Sequence, residues 1–85
     1  MFVSVIWDDE PGGNVEHVAQ NGLETDEVDS VLLDPTIPTH PSRSTGRPCK
    51  FGWTDSGKFI IVIWDEVLDD PLTIYPVTAY EVPPI

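Results

Sequence analysis

The sequence predicts a small α+β domain with the element order β-α-α-β-β-β, in which two helices pack on one face of a small antiparallel sheet. Three observations lead to this prediction. Runs of β-branched and aromatic residues near both ends of the chain have the pattern of strands. Two stretches between residues 14 and 33 carry apolar residues at helical spacing. A proline-rich segment, residues 35–48, then separates the helices from the later strands.

Local signals define the first strand and the first helix. Residues 2–7 are mostly β-branched and aromatic, and they are followed by Asp-Asp-Glu-Pro-Gly-Gly, where proline and glycine break any regular element. Asn14 is a favourable N-cap, and apolar residues follow Val15 at i+3 and i+4. Gly22 can adopt the left-handed conformation of a C-cap. We therefore interpret the N-terminus as a strand and not as a secretory signal, which would need a basic region.

A second helix and a long connection follow. Thr25 can cap the helix, acidic residues in the first turn suit the positive end of its dipole, and an apolar stripe begins at Val28. Asp34 and Pro35 end it. Because residues 35–48 hold four prolines and no apolar periodicity, we expect an extended connection or a mobile loop there.

The remaining strands begin with a hairpin. Residues 49–54 alternate between apolar and polar, and Asp-Ser-Gly at 55–57 supplies a short turn. Residues 59–64 are apolar on both faces, which predicts a central strand covered by the helices on one side and by aromatics or a partner on the other. Residues 72–82 read as a last strand that Pro76 confines to an edge or a bulge. We expect a single domain over residues 1–85.

Composition limits the classes of function. Cys49 is the only cysteine, so no intramolecular disulfide can form and a reducing, cytoplasmic location is expected. The longest apolar run covers about a third of the ~18 residues of a membrane helix, so no membrane span is expected. His17, His40 and Cys49 are far apart and one ligand short of a zinc site, and the turn carboxylates match no calcium loop. We expect no metal and no cofactor, and a monomer is favoured.

Charge is distributed unevenly along the chain. The formal net charge is -11, with fifteen acidic residues and four cations. All four cations, and one carboxylate, lie within residues 43–58, so this segment carries +3 and the remainder carries -14. A net negative charge of this size repels nucleic acid at long range. Binding to RNA is therefore expected to be weak.

With the familiar phosphate-loop, dinucleotide-binding and protease motifs absent, metal-free cleavage of RNA is the chemistry considered further. It needs a cation near the phosphorane and a general acid and base. The candidates are Arg43, Arg47, Lys58, Tyr75, Tyr80 and Glu81. His17, near the start of the first helix, is considered separately as a possible base. Taken singly, each is more often a salt-bridge partner, a turn residue or a packed ring.

Three segments resemble the BrnT-like toxins of the RelE superfamily. They are VIWDDEPGGNVEHVAQNGL, DEVDSVLLDP and RPCKFGWTDSGKFIIVIW. The family shows a WD near the start, an Asn/His/Gly helix, a second helix ending in DP, and an Arg-containing hairpin before an apolar strand. The resemblance covers roughly residues 5–82 and implies a sheet with two helices after its first strand.

The resemblance also implies a function. Toxins of this family cleave RNA and are neutralised by a partner antitoxin, and the matching cation here is Arg47, with Lys58 after the hairpin glycine. From their own chemistry, Tyr80, Glu81 and His17 are further candidate catalytic groups. Arg43 and Lys50 are candidate substrate-binding residues.

Two hypotheses about function follow. The first is a toxin-fold protein, either a weak metal-independent endoribonuclease or an inactive relative, because the family's Arg-rich segment after the last strand has no counterpart in YPVTAYEVPPI. The second is a noncatalytic acidic module that binds a basic protein partner, with a nucleic-acid mimic as one form of it.

Overall fold

Five strands and two helices make up the computed structural model, which describes residues 3–84. In chain order they are β1 Val3–Val5, α1 Asn14–Gln20, α2 Thr25–Leu32, β2 His40–Pro41, β3 Pro48–Trp53, β4 Phe59–Asp69 and β5 Leu72–Glu81. The radius of gyration is 12.1 Å, which matches the roughly 12 Å of a compact chain of this length. Within residues 3–84 neither helix has the length and apolar character needed to cross a membrane.

The sheet is mostly, not wholly, antiparallel. Its strand order is β1-β5-β4-β3-β2, and every neighbouring pair is antiparallel except β1 and β5. The parallel pair runs from Val3 opposite Leu72 to Val5 opposite Ile74. A short hairpin forces antiparallel pairing, whereas the long connection between these two strands does not. The predicted strand over residues 2–7 is thus realised as β1, and Phe2 lies outside the described residues.

The hairpin and the central strand are confirmed. β3 and β4 pair from Trp53 opposite Phe59 to Cys49 opposite Ile63. β4 lies between β3 and β5, as its apolar character on both faces predicts. β5 is also internal to the sheet, and Pro76 lies opposite Trp64 at a shift in register. Of the two positions predicted for this proline, the bulge is the one observed.

The start of α1 differs from the prediction. Gly13 is the N-cap, and Asn14 is the first helical residue, with only 2% of its surface exposed. The Asn14 side-chain amide donates hydrogen bonds of 2.9 Å to the carbonyls of Ile6 and Pro76, and its oxygen accepts one of 2.7 Å from the Asp8 backbone. Asn14 therefore joins the end of β1 to β5 instead of capping a helix.

The second helix also begins one residue earlier than predicted. Glu24 is the N-cap of α2, and its backbone N–H donates to the Glu27 carboxylate at 2.9 Å. Thr25, the predicted cap, is the first helical residue. The acidic first turn is present as predicted, since Asp26 and Glu27 both lie in it.

Both helices pack on one face of the sheet around a single core. Val18 of α1 and Val28 and Val31 of α2 are fully buried there. The sheet contributes Ile60, Val62 and Trp64 from β4 and Ile74 and Ala79 from β5. Gly52 lets α2 approach β3 closely, because a Cβ at this position would lie 2.7 Å from Ile37 and 3.2 Å from Val31.

The proline-rich segment is more ordered than the sequence predicts. It contains β2, in which His40 lies opposite Cys49 and Pro41 lies opposite Pro48. A turn over residues 42–47 connects β2 to β3. In this turn the Ser42 N–H donates a hydrogen bond of 2.7 Å to the Arg47 carbonyl. A strand of two residues has no periodicity that a sequence pattern could show.

Candidate functional site

The sheet face opposite the helices, which we call the open sheet face, is apolar and carries several exposed aromatic rings. Side chains alternate between the two faces of a strand, so residues between those of the core point the other way. The open sheet face is formed by Cys49, Phe51, Trp53, Phe59, Ile61, Ile63 and Tyr80. Phe51 and Tyr80 are each 41% exposed and Trp53 is 58% exposed. Three large aromatic rings are therefore available to a ligand.

Loop 42–47, the turn between β2 and β3, borders this face and is tightly hydrogen-bonded. Gly46 has a φ of 73°, and its N–H donates to the Ser42 carbonyl at 2.9 Å. The hydroxyls of Ser42 and Thr45 are 2.8 Å apart, and the Thr45 hydroxyl accepts from the Arg47 N–H at 3.2 Å. These bonds fix the loop from its inner side. They leave the side chains of Arg43 and Ser44 exposed at its tip.

A groove of about 470 Å³ lies between this loop and the open sheet face. Cys49, Phe51, Ile61 and Ile63 line it from the sheet. The loop contributes Pro41, Ser42, Arg43 and Ser44, and β5 and its end contribute Tyr80 and Val82. The structure thus brings Arg43 and Tyr80, two of the residues that the sequence singled out, to one groove.

Among the described residues, Arg43 is the one charged residue that lines the groove. Within residues 3–84 its guanidinium takes part in no hydrogen bond and no ion pair. Cys49, by contrast, is only 2% exposed, and its burial raises the pKa of the thiol. A thiol that resists ionisation is a poor nucleophile. The reactive groups of the groove are therefore the guanidinium and the hydroxyls.

Arg47 is engaged by an acidic residue of the neighbouring strand. Its Nε donates to the Asp65 carboxylate at 2.7 Å, and both side chains are about half exposed. Arg47 is thus held at the end of loop 42–47, away from the lining of the groove.

Lys58 and Lys50 are engaged on the helix-covered side. Lys58 donates to the Gly22 carbonyl at 2.9 Å and pairs with the Glu27 carboxylate at 3.1 Å. Lys50 donates to the carbonyls of Leu32 and Asp34, both at 2.9 Å, so it caps the end of α2. Burial lowers the pKa of Lys50. Both ammonium groups therefore bind the helical layer, and neither lines the groove.

The remaining predicted residues lie apart from the groove. His17 is exposed on α1, on the other side of the sheet. Glu81 follows Tyr80 in β5, so its side chain points to the opposite face. Tyr75 is half-buried and lies opposite Asp65 near the far end of the sheet. Catalytic roles for these three residues remain predictions from the sequence.

Two polar groups of the groove were missed by sequence reasoning. Ser42 and Ser44 flank Arg43 and line the groove with it. The signal was present in the tripeptide Ser-Arg-Ser within a proline-bounded segment. A loop that holds polar side chains at fixed positions is a frequent location for binding residues.

No protein-family model, no curated protein and no solved structure matches this chain. Within the described residues, no three His, Cys, Asp or Glu side chains are grouped in a way that could hold a metal ion. We therefore infer function from the side chains that line the groove. An arginine stabilises anionic oxygens, hydroxyls donate and accept hydrogen bonds, and exposed rings stack on planar bases. Together these groups suit a single-stranded nucleic acid.

Proposed function

We propose that this chain is a BrnT-like toxin-fold protein of the RelE superfamily that binds RNA in the groove and cleaves it without a metal ion. The observation that carries the proposal is the meeting of Arg43 and Tyr80 in one groove on an aromatic sheet face. A mostly antiparallel sheet with two helices after the first strand supports the fold that the resemblance implies. The finer RelE-like topology, a cytoplasmic location and neutralisation by an antitoxin are parts of the same proposal.

In the proposed cleavage of RNA, Tyr80 and Arg43 each have one role. The 2′-hydroxyl of RNA attacks the adjacent phosphorus and loses its proton to solvent, and the 5′-oxygen of the next nucleotide leaves. Tyr80 donates its hydroxyl proton to that oxygen and regains a proton from water. Arg43 binds the phosphate and stabilises the added negative charge of the phosphorane. The products are a 2′,3′-cyclic phosphate and a free 5′-hydroxyl.

Arg43 takes the role for which the sequence favoured Arg47. Because Arg47 is already paired with Asp65, using it at a phosphate would require breaking that contact. Arg43 has no partner to lose among residues 3–84. The exposed rings of Phe51 and Trp53 extend the groove with surfaces on which bases stack.

Induced expression in a bacterial host tests the proposal. We expect the wild-type chain to slow growth and fragment RNA. Arg43→Ala and Tyr80→Phe should each reduce cleavage about 100-fold or more, since each removes a group that acts in the transition state. Arg43→Lys keeps the charge and should retain part of the activity. Arg47→Ala is the matched control and should cleave at close to the wild-type rate.

The fragments distinguish this activity from a host nuclease. Purified protein in EDTA should produce ends that carry a 2′,3′-cyclic phosphate. Cleavage that persists in Arg43→Ala, or that chelator abolishes, would contradict the proposal. If wild type neither arrests growth nor cleaves RNA, the noncatalytic alternative becomes the better one.

That alternative is an acidic module that binds a basic protein partner. It is favoured by the engagement of three of the four cations in contacts within the fold. The many carboxylates consequently meet little opposing charge on the surface. An affinity for basic proteins that falls steeply with salt, in a chain without RNA cleavage, would support it.

A further inference from the structure

Strand β4 continues well beyond the strand that pairs with it on one side. β3 covers only Phe59–Ile63 of β4, whereas β4 itself extends to Asp69. Among residues 3–84 no other strand pairs with this side of β4. We call residues 65–69 the free edge of β4. Such an edge presents backbone N–H and C=O groups to which another strand can add.

A shallow, open depression lies where β3 would continue along this edge. Its volume is about 380 Å³, and it is lined by Thr39, His40, Pro41, Gly46, Pro48 and Glu66. β3 begins at Pro48, and the chain before that residue belongs to loop 42–47. The space beside Glu66 is therefore open and in line with β3. An extended chain that entered it would run alongside the free edge.

Two consecutive apolar residues of the free edge are exposed. Val67 is 53% and Leu68 is 56% exposed. Val67 has no partner in β5, because the register shifts between Glu66 and Leu68. Bulges of this kind alter the direction in which side chains point. Here the bulge leaves two adjacent apolar side chains accessible at an unpaired edge.

Unpaired carboxylates surround these apolar residues. Glu66, Asp69 and Asp70 are exposed, and none of them forms an ion pair within residues 3–84. Asp65 does form one, and its partner, Arg47, reaches it from the position that directly precedes β3. The chain thus already places one basic residue against this edge. The next acidic positions along β4 lack such a residue.

We propose that the free edge of β4 binds an extended, basic segment of a protein partner, which adds to the sheet in line with β3. Lysine or arginine side chains of that segment pair with Glu66, Asp69 and Asp70, and an apolar side chain contacts Val67 and Leu68. A second copy of this chain is a poor occupant, because two such edges would bring like charges together. This surface adjoins the groove that holds Arg43 and Tyr80, since Pro41 lines both, but its acidic residues lie outside that groove and its binding does not depend on RNA.

A labelled peptide of alternating lysine and valine, seven residues long, is the probe. We expect saturable binding in fluorescence anisotropy, and no binding of a peptide in which glutamate replaces lysine. Glu66→Gln, Asp69→Asn and Asp70→Asn together should weaken binding at least about tenfold. The matched control, Asp9→Asn, Glu10→Gln and Asp55→Asn, removes the same charge from exposed loops and should stay within about twofold.

A second measurement locates the peptide. Its addition should shift the backbone amide resonances of residues 65–69 more than those of the open sheet face. Equal weakening in the two triple variants, shifts confined to another region, or no saturable binding would overturn the proposal. Reversible dimerisation of the peptide-free protein that the edge variant abolishes would assign this edge to a second copy and would overturn it as well.

Discussion

The helix-covered face and the open sheet face are built from alternate residues of the same strands, yet their polar groups behave differently. On the helix-covered face Lys50 and Lys58 are bound to carbonyls and a carboxylate of the helical layer. On the open face Arg43 lines a groove without a partner among the described residues. Polar groups on the first face hold helices to the sheet. On the open face, Arg43 makes no such structural contact within residues 3–84.

Replacing one tryptophan on each face should give the largest contrast in stability. Trp64 is 6% exposed in the core, whereas Trp53 is 58% exposed on the open face. Trp64→Ala leaves a cavity and should lower the free energy of unfolding by about 3 to 5 kcal/mol. Trp53→Ala should lower it by less than about 1 kcal/mol. Urea titration of both variants measures the difference, and equal losses would contradict the assignment of the two faces.

Replacing one cation on each face should give the next largest effect. Lys50→Met removes two hydrogen bonds at the end of α2 and should destabilise by about 1 to 3 kcal/mol. Arg43→Met breaks no hydrogen bond within residues 3–84 and should change stability by no more than about 0.5 kcal/mol. Thermal melts of the pair provide the comparison. A strongly destabilised Arg43→Met would mean that Arg43 belongs to the fold.

Acid should weaken the contact between the helices and the hairpin. Hydrogen bonds from the Ser56 hydroxyl and the Glu24 N–H, together with Lys58, lower the pKa of Glu27 from 4.5 to about 2. Because the folded value is the lower one, the unfolded chain takes up the proton first as the pH falls. This stabilisation is complete above pH 4.5 and is lost as the pH falls toward 2.

We expect the ionised Glu27 carboxylate to contribute about 1 to 2 kcal/mol to the free energy of unfolding. This is less than its full pKa shift corresponds to, because water screens the Glu27–Lys58 ion pair. Stability measured from pH 6 to 2 should fall less steeply in Glu27→Gln than in wild type. Parallel curves for the two proteins would show that the carboxylate contributes no pH dependence.

The smallest effect concerns the dependence of RNA binding on salt. Each phosphate neutralised in a single strand contributes about 0.7 to the slope of log affinity against log salt. If Arg43 is the cation that binds RNA, the slope should be about 0.7 in magnitude, and Arg43→Ala should bring it close to zero. A slope near 2.8 would instead require all four cations of the chain.

Features encoded by neighbouring residues were predictable from the sequence. The hairpin between β3 and β4 needs only alternation and a short turn, and both are visible in residues 49–64. The parallel pairing of β1 with β5 could not be predicted, because no local pattern in Val3–Val5 specifies a partner about 70 residues away. Strand β2 was missed because it is two residues long and lies among prolines.

The role of each cation was the least predictable part of the site. Lys50 and Arg47 look equally available in the sequence, but their partners lie 16 to 18 residues away. The partners of Lys58 are 31 and 36 residues away. Only the tertiary structure separates these engaged cations from Arg43. Asn14 is similar, since its bond to the Pro76 carbonyl spans 62 residues.

The position of β5 between β1 and β4 has a consequence for synthesis on the ribosome. Within residues 3–84, β1 pairs with no strand other than β5, and the Asn14 and Asn21 side chains of the α1 region bond to the carbonyls of Pro76 and Ala79. The strand pairing of β1 and these two side-chain bonds therefore cannot form until residues 72–81 have left the exit tunnel. Contacts this distant in sequence slow folding. During synthesis β1 therefore remains unpaired until β5 has emerged.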